Sequence, residues 1–82
     1  MIPAGWHVYI LECADGSLYT GIARNLDARI AAHNNGTGAK YTRGRGPVKL
    51  LYQEPADDRS TALRREALLK QLSRAEKLKL LR

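Results

Sequence analysis

His7-Val8-Tyr9-Ile10-Leu11-Glu12-Cys13-Ala14-Asp15-Gly16-Ser17-Leu18-Tyr19-Thr20-Gly21-Ile22 is the stretch that decides the fold. Residues 7–13 and 17–22 are rich in strand formers, and the Asp15-Gly16 pair between them is a strong hairpin signal. A two-residue turn at Asp15-Gly16 would pair Cys13 with Leu18 and put Tyr9 and Tyr19 on opposite faces of the sheet. A three-residue turn with a left-handed Gly16 would slip the register by one residue. The two tyrosines would then share a face, because a single-residue slip flips every side chain. The residues of the hairpin alone leave both registers open.

Beyond the hairpin, Asn25 is placed to cap a helix over Leu26–Asn34, and Gly36 sits where a C-terminal stop belongs. Leu26, Arg29, Ile30 and His33 follow the i, i+3, i+4, i+7 spacing of one helix face. Two of the four are apolar, so this face turns inward and takes Arg29 and His33 toward the sheet or its rim. Residues 36–47 read as a loop in which Gly36, Gly38, Gly44 and Gly46 alternate with Lys40, Arg43 and Arg45, with room for one helical turn over residues 39–42. Residues 48–53 form a third predicted strand, ended by Glu54-Pro55. Asp58 or Ser60 caps a helix over residues 61–72. Ser73-Arg74-Ala75-Glu76 is a capping box that breaks this helix and starts a short last one. The order β-β-α-β-α-α belongs to the α+β class, a small sheet flanked by helices.

A chain of 82 residues has room for one domain, expected to span residues 1–82. Fourteen Lys and Arg against eight Asp and Glu leave a net charge of +6, which favours an anionic partner: nucleic acid first, an acidic membrane surface second. The single cysteine, Cys13, excludes a disulfide framework and a Cys-based zinc site and fits a reducing compartment. It reads as a small packed strand residue. The Met1-to-Trp6 segment has no basic region followed by an apolar run, and no stretch approaches the ~20 apolar residues that span a bilayer. A cytoplasmic location and no membrane association are expected.

Several side chains could carry chemistry. Glu66 has Ala62, Leu63 and Leu69 as helix neighbours, and a carboxylate in apolar surroundings calls for a partner. That partner is either a cation, such as Lys70 at i+4 or Arg29, or a hard metal ion such as Mg²⁺, which prefers oxygen ligands. Arg29 could clamp a phosphate or pair with an acid. His33 could exchange protons near neutral pH or serve as a packed structural residue. Tyr9 and Tyr19 are either core aromatics or hydroxyl donors at the sheet edge. Gly38-Ala39-Lys40-Tyr41-Thr42-Arg43-Gly44-Arg45-Gly46 combines flexible backbone, several cations and an interposed aromatic, which suits phosphate contact and base stacking. No Walker-type phosphate loop is present, so a nucleoside triphosphate is not indicated, and no Ser-His-Asp arrangement or His-Glu-x-x-His helix is readable.

Taken in order, Val8-Tyr9-Ile10, then Tyr19-Thr20-Gly21 ten residues on, Arg29, His33, and Glu66 in a later helix resemble the GIY-YIG endonuclease superfamily. The match covers nearly the whole chain and is most similar to small bacterial members that consist of the nuclease domain. Leu18-Tyr19-Thr20-Gly21-Ile22 and Asp58-Arg59-Ser60-Thr61-Ala62-Leu63 support this, as does the 38–46 loop. The first triad of the family name keeps only its tyrosine, as His7-Val8-Tyr9. The second keeps tyrosine and glycine, as Tyr19-Thr20-Gly21.

The resemblance implies a three-stranded antiparallel sheet with flanking helices. It also implies phosphodiester hydrolysis with one divalent cation, Mg²⁺ or Mn²⁺. It assigns Glu66 to the metal, Arg29 to the phosphate, and Tyr9 to activation of the attacking water. Tyr19 and His33 become supporting polar positions, and Gly21 keeps space open beside them. On this reading Arg29 and the metal are expected to lower the Tyr9 pKa from its ordinary value near 10. The resemblance also selects the three-residue turn, because only that register brings Tyr9 and Tyr19 together. Some relatives carry a lysine shortly after the second triad; Arg24 is the nearest cation here. Binding then rests on Arg24, Lys40, Tyr41, Arg43 and Arg45, whose phosphate contacts position a substrate without reading its sequence. The expected substrate is DNA before RNA, cut structure-selectively or non-specifically in repair or processing. The alternative is a non-catalytic nucleic-acid-binding module recruited by a protein partner.

Overall fold

The hairpin adopts the longer turn. In the computed structural model, which describes residues 5–39 and 42–80, the Gly16 N–H donates to the Cys13 carbonyl at 2.9 Å and the Cys13 N–H donates to Ser17 at 2.8 Å. Gly16 takes φ +84°, a left-handed conformation that costs glycine nothing. Asp15 Oδ1 accepts from the Ser17 N–H at 3.0 Å and from its hydroxyl at 2.5 Å, fastening the turn from inside.

Strand β1 (Trp6–Glu12) therefore pairs antiparallel with β2 (Leu18–Ala23) in the register Leu11↔Tyr19 and Tyr9↔Gly21. Tyr9, Leu11, Tyr19 and Gly21 point to one face, as the three-residue turn requires. Strand β3 (Lys49–Ala56) pairs antiparallel with the other edge of β1, giving the order β2-β1-β3. The central strand is covered on both sides, which explains its nearly unbroken apolar run. Residues 48–53 were the expected third strand, but β3 continues through Pro55, which faces His7. The strand lies at the sheet edge, where a proline without an N–H breaks no ladder bond on its outer side. The register shifts between Ile10 and Leu11, whose partners are Tyr52 and Leu50.

Helix α1 (Leu26–Asn34) packs on the Tyr9 face. Asn25 caps it by accepting from the Ala28 N–H at 3.1 Å, a contact worth about 1 kcal/mol. Leu26 and Ile30 lie against a core of Tyr9, Leu11, Cys13, Ala23 and Val48. Cys13 is buried there as a small packed residue. Helix α2 (Arg59–Lys70) is capped by Asp58, whose carboxylate accepts from Thr61 at 2.7 Å; Asp58, rather than Ser60, starts the helix. It covers the opposite face with Val8, Ala56, Ala62 and Leu69, joined by Leu72 and Leu80 from the chain around α3 (Arg74–Lys79). The capping box at Ser73 and Glu76 is formed in both directions. On this face Arg65 forks onto the Glu54 carboxylate at 2.8 and 3.0 Å, and Tyr52 donates to the same group at 2.6 Å. The molecule is a three-stranded antiparallel sheet sandwiched between α1 on one side and α2 with α3 on the other.

Candidate active site

Tyr9 is fully buried, yet its hydroxyl is aimed across the sheet over Gly21 toward α1. It meets Nε2 of His33 at 2.9 Å. His33, 1 % exposed, occupies the inward face of α1 that its spacing from Leu26 and Ile30 implied. The Tyr19 ring packs edge-on against the same imidazole, with centroids 5.2 Å apart, and Tyr9 and Tyr19 lie 6.3 Å apart. The three rings thus form one cluster, assembled by the hairpin register on one side and the helix periodicity on the other.

The imidazole is held from behind by the 36–47 loop. Nδ1 of His33 lies 2.8 Å from the Thr42 hydroxyl, which itself donates to the Ala39 carbonyl at 2.9 Å. Gly38 lies flat against the ring: a Cβ there would fall 2.6 Å from Nδ1 and 2.8 Å from the His33 Cα. Thr42 and this role of Gly38 were not legible in the sequence. Both lie in a segment without periodicity, and no local pattern ties them to residue 33.

Arg29 stands one helical turn before His33, and its guanidinium interacts with the hydroxyls of both tyrosines. Those interactions, Tyr9 foremost, raise the Arg29 pKa further. Its Nε is buried without a hydrogen-bond partner. Among the described residues no carboxylate pairs with Arg29. Burial lowers the His33 pKa, with the Arg29 charge adding to the effect, so the ring is held neutral. Arg29 pulls the Tyr9 pKa down, as expected, but among the protein groups burial is the larger effect, and the hydroxyl is raised above 10.0.

Glu66 lies on α2, which packs on the other face of the sheet. Its negative charge is felt at the Tyr9 hydroxyl. The carboxylate pairs with Lys70 at 3.6 Å rather than with Arg29, and its side chain is 18 % exposed. Among the described residues there is no cluster of three or more His, Cys, Asp or Glu. Glu66 is the carboxylate whose charge acts on Tyr9, and a single carboxylate suits an ion of the Mg²⁺ type, which keeps most of its waters.

The basic residues expected to meet nucleic acid separate into distinct environments. Arg24 is exposed, stacks 6.0 Å over the Trp6 ring, and shares with Arg29 an open groove of about 370 Å³ between the end of β2 and α1. Arg43 is exposed on the loop. Arg45 binds Asp15 at 2.5 Å, while its carbonyl accepts from the Ala14 N–H at 2.7 Å, so it ties the loop to the hairpin. Lys40 and Tyr41 lie outside the described residues. No described helix is long and apolar enough to cross a membrane.

Comparison with known proteins finds both a family and relatives for the chain. A family model described as the GIY-YIG catalytic domain matches residues 5–79. A UPF0213 protein of Staphylococcus saprophyticus is 56% identical over 75 residues, covering 92% of each chain. One from Clostridium perfringens is 59% identical over 75 residues, covering 92% of this chain and 81% of the relative. The solution NMR structure of a UPF0213 protein from Bacillus halodurans shares 48% identity at a TM-score of 0.59, covering 94% of this chain and 82% of that one. A second NMR structure, from E. faecalis, shares 40% identity at a TM-score of 0.65, covering 96% and 84%.

Proposed function

Because the chain belongs to the GIY-YIG catalytic-domain family, a nuclease family, we propose that it is a metal-dependent endonuclease. It hydrolyses phosphodiester bonds in DNA, structure-selectively or without sequence preference, in repair or processing. The observation that carries this reading is the buried Tyr9–His33 hydrogen bond beside the unpaired Nε of Arg29. A structural tyrosine needs no buried, neutral histidine behind it and no guanidinium in front.

The raised Tyr9 pKa shapes the chemistry. A full tyrosinate is costly in this buried position. Proton relay spreads that cost over two groups: as Tyr9 Oη takes a proton from the attacking water, its own proton passes to Nε2 of His33, 2.9 Å away, and the charged ring, disfavoured by burial and by Arg29, then releases the proton to solvent. The water oxygen bonds to phosphorus, the bond from phosphorus to the leaving oxygen breaks, and the leaving oxygen takes a proton from solvent. Arg29 holds a nonbridging oxygen as charge accumulates. Glu66 would hold the Mg²⁺ or Mn²⁺ ion, which when bound stabilises charge on the phosphate and the leaving oxygen. Glu66 now pairs with Lys70 at 3.6 Å, a cation that a metal on the same carboxylate would compete with.

Arg24 and Arg43, both exposed, supply phosphate contacts that orient the backbone. Such contacts make binding salt-sensitive and sequence-tolerant. The test is incubation of the purified protein with branched, single-stranded and duplex DNA and with RNA, each with Mg²⁺, Mn²⁺ or chelator. Metal-dependent cleavage of DNA supports the reading. Binding without cleavage of any substrate would return the protein to a recruited binding module.

A further inference from the structure

A threonine hydroxyl carries one hydrogen and two lone pairs. The Thr42 hydroxyl, in a residue 1 % exposed, has two partners among the described residues: the Ala39 carbonyl at 2.9 Å and His33 Nδ1 at 2.8 Å. A carbonyl only accepts, so the single hydroxyl hydrogen is committed to Ala39. Toward His33 the hydroxyl can then offer only a lone pair, and Nδ1 must carry a hydrogen. In a neutral ring the other nitrogen, Nε2, is an acceptor. Nε2 is the atom facing the Tyr9 hydroxyl. The chain of bonds therefore has a direction: Tyr9 O–H to His33 Nε2, His33 Nδ1–H to Thr42, and Thr42 O–H to the Ala39 carbonyl.

We propose that Thr42 is a positioning residue of this site, fixing His33 in its Nδ1–H tautomer so that Nε2 can accept the Tyr9 proton. Gly38 assists by letting the loop backbone lie against the ring. With the opposite tautomer Nε2–H would donate to Tyr9 Oη, and the tyrosine could not discharge its proton to the ring. The burden that this places on Thr42 extends the proposed nuclease chemistry and rests on it. The tautomer itself does not, because it follows from the hydrogen-bond geometry.

The two parts are tested separately. Nitrogen-15 NMR of the imidazole side chains, with His7 signals identified through His7→Gln, reads the tautomer of His33 directly in the unmodified protein. The expected pattern is a protonated-type Nδ1 and an unprotonated-type Nε2. Thr42→Val, which keeps the shape and removes the hydroxyl, should shift the pattern toward Nε2–H, and Thr42→Ser should restore it. In cleavage assays Thr42→Val should lose at least about tenfold in kcat, the scale for outer partners of a functional histidine, with KM little changed and recovery in Thr42→Ser. An Nε2–H ring in the unmodified protein would overturn the proposal even if Thr42→Val failed to fold. So would a Thr42→Val ring with the unmodified tautomer. If the tautomer follows Thr42 but no nucleic acid is cut, the positioning stands and the nuclease assignment falls.

Discussion

Tyr9 and Gly21 are direct cross-strand partners, and the Tyr9 hydroxyl fills the space that a side chain at position 21 would need. A Cβ on Gly21 would lie 2.6 Å from Oη and 2.7 Å from Cζ of that ring. The clash is with a ring that is 0 % exposed and cannot swing away cheaply. Gly21→Ala should cost about 1–3 kcal/mol through overpacking, lowering Tm by several degrees. It should reduce cleavage more than binding, because Tyr9 is displaced from His33. Thermal denaturation run beside cleavage and binding assays checks this; wild-type behaviour in all three would remove Gly21 from the site.

The same logic applies to the turn. Gly16 has φ +84° and open space where a Cβ would go, so the penalty for a side chain is conformational and not a clash. Gly16→Ala should cost about 1 kcal/mol and Gly16→Asn less, since asparagine tolerates the left-handed region. Chemical denaturation of the two variants measures the difference. Equal stability of Gly16→Ala and the unmodified chain would mean the bulged turn does not set the register.

These two glycines mark how far the sequence could be read. The hairpin, the α1 face and the capping box were legible because each rests on local spacing or local capping chemistry. The register was not decided by the hairpin residues; it needed the family pattern of Tyr9 and Tyr19, and the structure agrees with that choice. The extension of β3 through Pro55 was missed because a proline reads as a strand breaker until the strand is known to lie at an edge. Thr42 behind His33 was missed because the contact crosses from a helix to an aperiodic loop. That burial outweighs Arg29 at the Tyr9 hydroxyl was not legible, because it depends on packing from α1 and the loop, which no spacing reveals.

Replacing Tyr9 with Phe removes the donor to His33 Nε2 and leaves that atom buried without its 2.9 Å partner. Loss of a positioned acid–base group typically costs about 10²–10⁴-fold in rate. The unsatisfied nitrogen should cost a further 1–3 kcal/mol of stability, roughly. Tyr9→Phe should therefore be folded, less stable and nearly inactive, with DNA binding retained. Rates within a few-fold of the unmodified protein would exclude Tyr9 as the group that takes the proton from water.

Stability should fall at both ends of the pH scale, for different reasons. Burial, then the Arg29 charge, lowers His33 below its ordinary 6.5. As pH drops below 6.5 the unfolded chain binds a proton that the folded ring refuses, so stability declines until the folded pKa is passed. Burial raises Tyr9 above 10.0, so above pH 10 the unfolded chain loses a proton that the fold retains, and stability declines again. Tm measured against pH should show a shallower acid limb in His33→Gln and a shallower alkaline limb in Tyr9→Phe. Unchanged limbs would contradict the burial of these two groups.

Arg24 and Arg43 are exposed, whereas Arg45 is engaged with Asp15. Arg24→Ala and Arg43→Ala should each weaken DNA binding across all sequences and lower the log–log salt slope by about 1. Arg45→Ala should act chiefly by loosening the loop from the hairpin, seen as a lower Tm. Binding titrations at several salt concentrations separate the two classes. A sequence-dependent loss from Arg24→Ala would mean it reads bases and does more than hold phosphates.

The most direct measurement is the cleavage rate of one branched DNA by three parallel preparations: the unmodified chain, Glu66→Ala and Arg29→Ala. Each is assayed with saturating Mg²⁺ or Mn²⁺ and with chelator. The expected result is cleavage by the unmodified chain alone, abolished by chelator, with both variants folded. Metal-dependent cleavage that survives either substitution would contradict the assignment and point to a contaminating nuclease.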